Sequence, residues 1–288
     1  MEKMMKKGVI IGTIFVVTLL MAMTFVSAIS ATPEKSLEQW TQEHTVEVEH
    51  TTIYKYEQGY LEMKEIYTGI DLEKKLGVVN FTQVLKIPVE AEIAEEIGLS
   101  EGDERIFVTE EEIVVTREDD PPIWWTTYDY PQWTYSEDNG NYKREDPINL
   151  LWNNANKALA KSEILEKGWV DNPWQFDHYV YDQVYGWILG DGVADDVTRP
   201  LGGYHARLWQ LSEDYYPEVI SNAHHDDAFP HHPNEYEPAE ILVAGFYDDP
   251  EDTEWTVHFQ NWNLGNEYTN EYGAYNNGLA TRIGYMEL

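Results

Sequence analysis

Not one residue of this chain is a cysteine. A fold of 288 residues therefore holds no disulfide, no thiolate metal site and no cysteine nucleophile. The constraint matters because the chain opens like an exported protein. Lys3, Lys6 and Lys7 precede an apolar stretch from Gly8 to Val26, and the small-residue pattern Val26-Ser27-Ala28 follows. This predicts a signal segment over 1–28. Its apolar run approaches the ~20 residues that span a bilayer, so cleavage after Ala28 and retention as an anchor are both open. Either way the lysines stay inside, and the membrane is met only through this segment. The protein is expected at the cell surface or outside the cell. There, a chain without disulfides relies on its core or on bound ions.

Charge narrows the partners. Asp and Glu number 53 against 19 Lys and Arg, a formal net charge of −34. Nucleic acid is excluded, because its recognition needs a basic footprint. Removing 1–28 takes away Glu2 and three lysines, so the exported part is more acidic still. Two readings of this acidity stand: a surface suited to high salt, where counter-ions screen self-repulsion, and carboxylate sites for divalent cations. With 42% hydrophobic and 14% aromatic residues, the chain has the material for a core.

Patterning predicts an α+β protein: a small β-rich domain over 29–117 with one short helix, an aromatic and polar linker over 118–145, and a mixed α+β domain over 146–288. Thr45 to Glu49 alternates apolar and polar residues at period two, and Ile53 to Tyr56 does so in part. Val84 to Pro88 reads as a strand and Glu90 to Leu99 as a helix ending near Gly98. Ile106-Phe107-Val108 and Ile113-Val114-Val115 flank Glu110-Glu111-Glu112 as the arms of a hairpin. In the second half, Ile148 to Trp152, Tyr204 to Trp209, Val219 to Ala223 and Trp255 to Phe259 read as strands. A helix capped by Asn153 or Asn154 is expected to run to Lys167. Glu240 to Tyr247 fits strand or helix, with Pro238 favouring a helix start. The stretch 261–278 reads as a long loop.

Two resemblances accompany this pattern. Ile87-Pro88, Ile93, Ile97, Gly98-Leu99, Glu101-Gly102-Asp103 and the segment to Val115 resemble an AbrB-type strand–helix–hairpin fragment over Leu85 to Arg117. DNA binding is not carried over, because those modules use basic residues and this stretch is acidic. Asp146-Pro147-Ile148-Asn149, Gly168-Trp169, Arg199-Pro200-Leu201, His205-Ala206-Arg207-Leu208-Trp209, Asn222-Ala223-His224-His225-Asp226 and Glu237-Pro238-Ala239-Glu240 occur in that order. Together they resemble the LssY-type C-terminal domain of envelope and membrane-associated proteins. That resemblance implies an α+β fold and an envelope setting, and no reaction.

The richest chemistry lies in His224-His225-Asp226-Asp227-Ala228-Phe229-Pro230-His231-His232. In a strand, His224 and Asp226 share a face, and a turn at Phe229-Pro230 brings His231 or His232 back. Imidazole with carboxylate suits a divalent transition metal such as Zn or Mn. His205 joins if its strand is a neighbour, and Asp227 and Glu235 are candidate bases. The competing reading is a solvated loop in which His pairs with Asp. Arg207, on the His205 face, is a candidate anion clamp or a structural ion-pair partner. Trp124, Trp125 and Trp133 are candidate sugar-stacking platforms or packing residues at the domain junction. Asn80-Phe81-Thr82 is a glycosylation sequon at Asn80. No Walker loop, dinucleotide fingerprint or Gly-x-Ser-x-Gly elbow occurs, so no nucleotide cofactor is expected. The reading is an exported, acidic cell-envelope binding or structural protein, its partner an envelope component or a glycan, with a His/Asp metal site. A secreted metal-dependent hydrolase and a carbohydrate-binding surface protein are the alternatives.

Overall fold

The computed structural model describes residues 37–122, 130–172, 175–195, 202–213, 215–228, 231–250 and 254–286. The expected signal segment 1–28, Trp124, Trp125, Arg199-Pro200-Leu201 and the Phe229-Pro230 turn lie outside them. Helix α1 (Leu37–His44) leads directly into β1 (Thr45–Glu57), followed by β2 (Tyr60–Thr68), α2 (Ile70–Leu76) and β3 (Asn80–Pro88). Next come α3 (Ala91–Glu96), β4 (Glu104–Arg117), β5 (Trp133–Asp138), β6 (Asn141–Pro147), β7 (Leu150–Asn153) and α4 (Lys157–Glu166). Then follow β8 (Val170–Asp171), β9 (His178–Asp182), β10 (Gly186–Leu189), β11 (Asp191–Ala194), β12 (Gly203–Gln210), β13 (Val219–Ala228) and β14 (His231–Glu235). After α5 (Glu237–Gly245) come β15 (Trp255–Asn263), β16 (Tyr268–Thr269), β17 (Tyr275–Asn276) and β18 (Leu279–Tyr285).

Two large sheets organise these elements. The first has the order β10-β9-β5-β6-β4-β1-β2-β3, and the second β15-β18-β7-β13-β12-β11-β8, with β14 added beside β13. The first sheet is antiparallel, and β18 with β7 makes a parallel pair in the second. Helices and antiparallel sheets coexist, as expected, but strands outweigh helices and the protein is mostly β. The cause is the frequency of β-branched and aromatic residues at alternate positions, which suits a pleated, half-buried surface. Residues 118–145, expected as a linker, hold β5 and most of β6, both paired into the first sheet. Leu37 to Leu288 make one compact unit.

Local chemistry explains the turns. Gln58 and Gly59 (φ 55 and 74) close the β1–β2 hairpin, and Asn139 and Gly140 (φ 54 and 77) close β5–β6. Two consecutive left-handed residues are what a two-residue hairpin of this twist requires. The hairpin expected around Glu110-Glu111-Glu112 is absent. Residues 104–117 form one continuous strand paired with β1 from Thr45↔Val114 to Lys55↔Glu104. Thr109 to Glu112 contains no Gly, Pro or Asn to reverse the chain, so the ladder carries on. Helix α4 starts at an Asn156 cap, whose side chain accepts from the Leu159 N–H, and not at Asn153 or Asn154. Residues 237–245 are helical with Pro238 in the first turn, so the ambiguous stretch resolves as a helix. Among the described residues no helix is long and apolar enough to cross a membrane.

Helices α4 and α5 cover one face of the second sheet over a core including Trp152, Ile164, Val243 and Tyr247. The other face meets the first sheet. One end of that contact is apolar, built from Leu151, Val180, Trp209 and Ile220. The other end is polar, and the candidate site lies there.

Candidate metal centre

Period-two geometry builds one polar row on each of two adjacent strands. On β12 the inward residues run His205, Arg207, Trp209. On β13 they run Ile220, Asn222, His224, Asp226. Register places His205 directly opposite His224 and Arg207 opposite Asn222. The two imidazole rings stand 4.0 Å apart, centroid to centroid. Cross-strand neighbours on one face meet in this way whatever their distance along the chain.

His205, His224 and Asp226 each offer a ligand atom, and these atoms lie within 4.8 Å of one another. His224 Nε2 is 3.2 Å from Asp226 Oδ1, and His205 Nε2 is 3.5 Å from Asp226 Oδ2. Metal–ligand bonds of ~2.0–2.1 Å in a tetrahedron put ligand atoms about 3.4 Å apart, so the spacing fits an ion. All three side chains are buried. Asp226 Oδ1 has no hydrogen-bond partner, although a buried carboxylate oxygen normally takes one. His231 Nε2 lies 3.4 Å from Asp226 Oδ2, outside the mutual group of three.

A surrounding set of polar groups orients these residues. His224 Nδ1–H donates to Asn222 Oδ1 at 2.9 Å, which turns Nε2 toward Asp226. Asn222 Nδ2 in turn donates to the Pro147 carbonyl. Outer hydrogen bonds of this kind set the tautomer and angle of a metal-binding imidazole. Asp146, from β6 of the facing sheet, brings its Oδ2 to 4.0 Å from His224 Nε2 and 3.9 Å from His178 Nδ1. Tyr236, just before α5, donates its hydroxyl to Asp146 Oδ1 at 2.9 Å. Arg207 Nη1 donates to His178 Nδ1 at 3.0 Å, so Nδ1 acts there as an acceptor.

Burial and neighbouring charge set the proton states. Burial, reinforced by the Arg207 charge, holds His178 well below the usual imidazole range. Burial and His224 do the same to His205, leaving a neutral imidazole of the kind that ligates metals. Burial also opposes charge on His224, but Asp226 and Asp146 outweigh it and raise the group. Burial would push Asp226 up, yet His231, His205 and His224 together hold it far below the usual carboxylate range. An anionic carboxylate with a neutral imidazole beside it is a ready ligand pair.

His224 and Asp226 line a cavity of about 180 Å³ between the sheets, and His205 lies beside His224. The opposite wall is a polar belt on the first sheet. His50, Glu65, Gln83 and Glu111 line the cavity from β1 to β4, with Glu65 between buried Met63 and Tyr67 and Gln83 between buried Phe81 and Leu85. Glu65 stands directly opposite Gln83, and His50 Nδ1 is 2.8 Å from Glu111 Oε1. Lys143 Nζ reaches Glu145 Oε2 at 2.7 Å. Burial raises the Glu145 carboxyl to about 7 against the pull of Lys143. The sequence reading did not pick out Asp146 as a site residue, nor His178, Tyr236 or this belt. The belt left one signal: polar residues at alternate positions inside apolar rows, as in Leu61-Met63-Glu65-Tyr67 and Phe81-Gln83-Leu85.

The remaining candidates are dispersed. His225 points to the other face of the sheet, where its Nδ1–H donates to Asn234 Oδ1 at 2.7 Å. His232 lines the cavity, but its Nε2 pairs with Asp227 at 3.2 Å and its ring stacks on Tyr272. Asp227 also accepts from Asn234, and Glu235 accepts from the Tyr204 hydroxyl, so both candidate bases are engaged away from the cluster. Arg207 is buried on the cavity wall. Trp133 is buried beneath the Arg144 guanidinium, 4.2 Å from its ring. Asn80 is exposed at the start of the edge strand β3. No family model, curated protein or solved structure matches this chain.

Proposed function

We propose that the protein is an exported enzyme that holds a divalent transition metal, Zn or Mn, through His205, His224 and Asp226, and uses it for hydrolysis. The observation that supports this most is a buried two-His, one-carboxylate group, two of whose members, His224 and Asp226, line a polar cavity. Three protein ligands leave a coordination position for water or substrate, the arrangement of catalytic metal sites. A bound metal would polarise the scissile carbonyl or phosphoryl group and acidify a water. Asp146 is the residue placed to take up that water's proton: its Oδ2 faces His224 and its Oδ1 is fixed by Tyr236. The signal segment over 1–28 and the LssY-type resemblance support an envelope or extracellular setting.

A non-catalytic envelope module is the second reading. It is favoured by His231, 3.4 Å from Asp226 Oδ2, since a fourth protein ligand would close the shell as in structural sites.

Elemental analysis of the purified chain comes first, beside His224→Ala and Asp226→Asn. About one metal per chain is expected, lost in both variants; a chain metal-free even after incubation with Zn or Mn refutes the site. Ester and phosphoester hydrolysis is then measured with and without chelator. Turnover abolished by chelator and by Asp146→Asn supports the enzyme. Metal retention without turnover of any ester assigns the structural reading.

A further inference from the structure

Arg207 is the least explained charge in the protein. Its side chain is 6% exposed, yet among the described residues the only hydrogen bond to its guanidinium is the one from Nη1 to His178. No carboxylate of the described residues comes within ion-pair distance of it. Its Nε–H is buried without any partner. Asp146 and Asp226 attract it from farther off, which lowers the cost of the charge but satisfies no N–H. A buried donor left unmade is unfavourable, and an unpaired buried charge more so.

The geometry of what is left unsatisfied is specific. Nη1 is engaged by His178 and Nε–H has no partner, so the guanidinium keeps donor capacity, and the Nε–Nη2 edge of such a fork carries two parallel N–H bonds. That edge matches two oxygens of one carboxylate or phosphoryl group. Arg207 lines the same cavity as His224 and Asp226. His205 and Arg207 are two residues apart on one strand face, so an oxyanion on Arg207 sits beside the metal position.

We infer that Arg207 is the anchor of an oxyanion subsite, and that the substrate of the proposed hydrolase is a small molecule bearing one carboxylate or phosphoryl group. The inference takes the reaction from the metal reading, but the binding it claims does not depend on the metal. A cavity of about 180 Å³ suits a small ligand.

The test is equilibrium binding of acetate and of methylphosphonate to the full chain, each with chelator present and after Mn loading. Wild type is compared with Arg207→Lys, Arg207→Gln and His224→Ala. Circular dichroism and thermal melting establish that each variant is folded. At least one of the two probes is expected to bind wild type, and the tighter of them tells carboxylate from phosphoryl. Binding is expected to weaken at least tenfold in Arg207→Gln, with metal and without. Arg207→Lys, which keeps the charge but not the parallel donor pair, is expected to lie between. A folded Arg207→Gln that binds both probes like wild type overturns the subsite, as does a wild type that binds neither. His224→Ala separates the two ideas. If it loses metal yet still binds the probe in chelator, the subsite stands by itself. If wild type never takes up metal but binds the probe through Arg207, the hydrolase reading fails and the subsite survives.

Discussion

Asn222 and Glu240 show how much a single buried polar atom decides here. Asn222 holds the His224 ring by one hydrogen bond and is itself held by the Pro147 carbonyl. Asn222→Ala is predicted to keep the fold while lowering metal affinity about 10–100-fold, the usual effect of removing an outer partner of a ligating imidazole. Competition with a chromophoric chelator measures it, and unchanged affinity would show that the ring needs no such guide. Glu240 lies fully buried in α5, its Oε1 accepting from Thr281 Oγ1 at 2.6 Å. Burial raises its carboxyl to about 8. The folded value lies above the unfolded one of 4.5, so its contribution to stability is complete below the unfolded value. It is lost as pH rises from there through about 8. Glu240→Gln removes the charging step. The variant is predicted to be more stable than wild type at pH 8, by on the order of 4 kcal/mol, and equal to it near pH 4. Denaturant melts at the two pH values decide; a constant difference would mean that Glu240 ionises normally.

At the scale of elements, helix ends and strand faces follow local chemistry closely. Asn156 caps α4 by accepting from Leu159 N, and Asn156→Ala is predicted to cost about 1 kcal/mol in chemical denaturation. No loss of stability would indicate that tertiary packing alone sets where α4 begins. The strands from Tyr204, Val219 and Trp255 are legible in the sequence because their alternation is regular. In β4, a run of glutamates between two apolar triplets mimics a break. Charge does not reverse a chain, and Thr109 to Glu112 carries no turn former. The His/Asp segment was legible as strand, turn and strand, and the face shared by His224 and Asp226 follows from period two. Which of its histidines converge was not legible. His231 and His232 differ by one residue, and a shift of one residue in a ladder moves a side chain to the opposite face. Register between β13 and β14 breaks at His225/Asp226, so counting along the chain fails at that step.

Across the whole molecule, a net charge of −34 works against compaction. Like charges on one surface repel, and salt screens them over ~10 Å at 0.1 M and ~3 Å at 1 M. Melting temperature is therefore predicted to rise by roughly 5 °C or more between low salt and molar sodium chloride, given about 2–4 °C per kcal/mol for a domain of this size. Equal melting in both would leave the acidity without a bearing on stability. The same scale explains the cavity. Two sheets with apolar inward rows pack closely at the Trp209 end, while the polar rows on both sheets face each other at the His224 end. Large polar side chains satisfied by one another do not interdigitate as an apolar core does, and a void of about 180 Å³ remains.

What the sequence by itself determined is what local chemistry and composition govern. It set the absence of disulfides, the acid excess, the alternation of most strands, the Asn-Gly turn, and a strand that carries His224 and Asp226 on one side. The tertiary structure alone decided that His205 meets them, that His225 and His232 engage elsewhere, and that Asp146, Tyr236 and His178 arrive from other elements. It also decided that Arg207 sits on a cavity wall with its Nε–H unpartnered. The physical reason is that period two assigns each side chain a face but not a partner. Partners follow from pairing within a sheet, here β12 with β13, and from the facing of one sheet on the other, here β6 and β9 toward that pair. That pairing is settled by the burial of whole faces, not by any one segment.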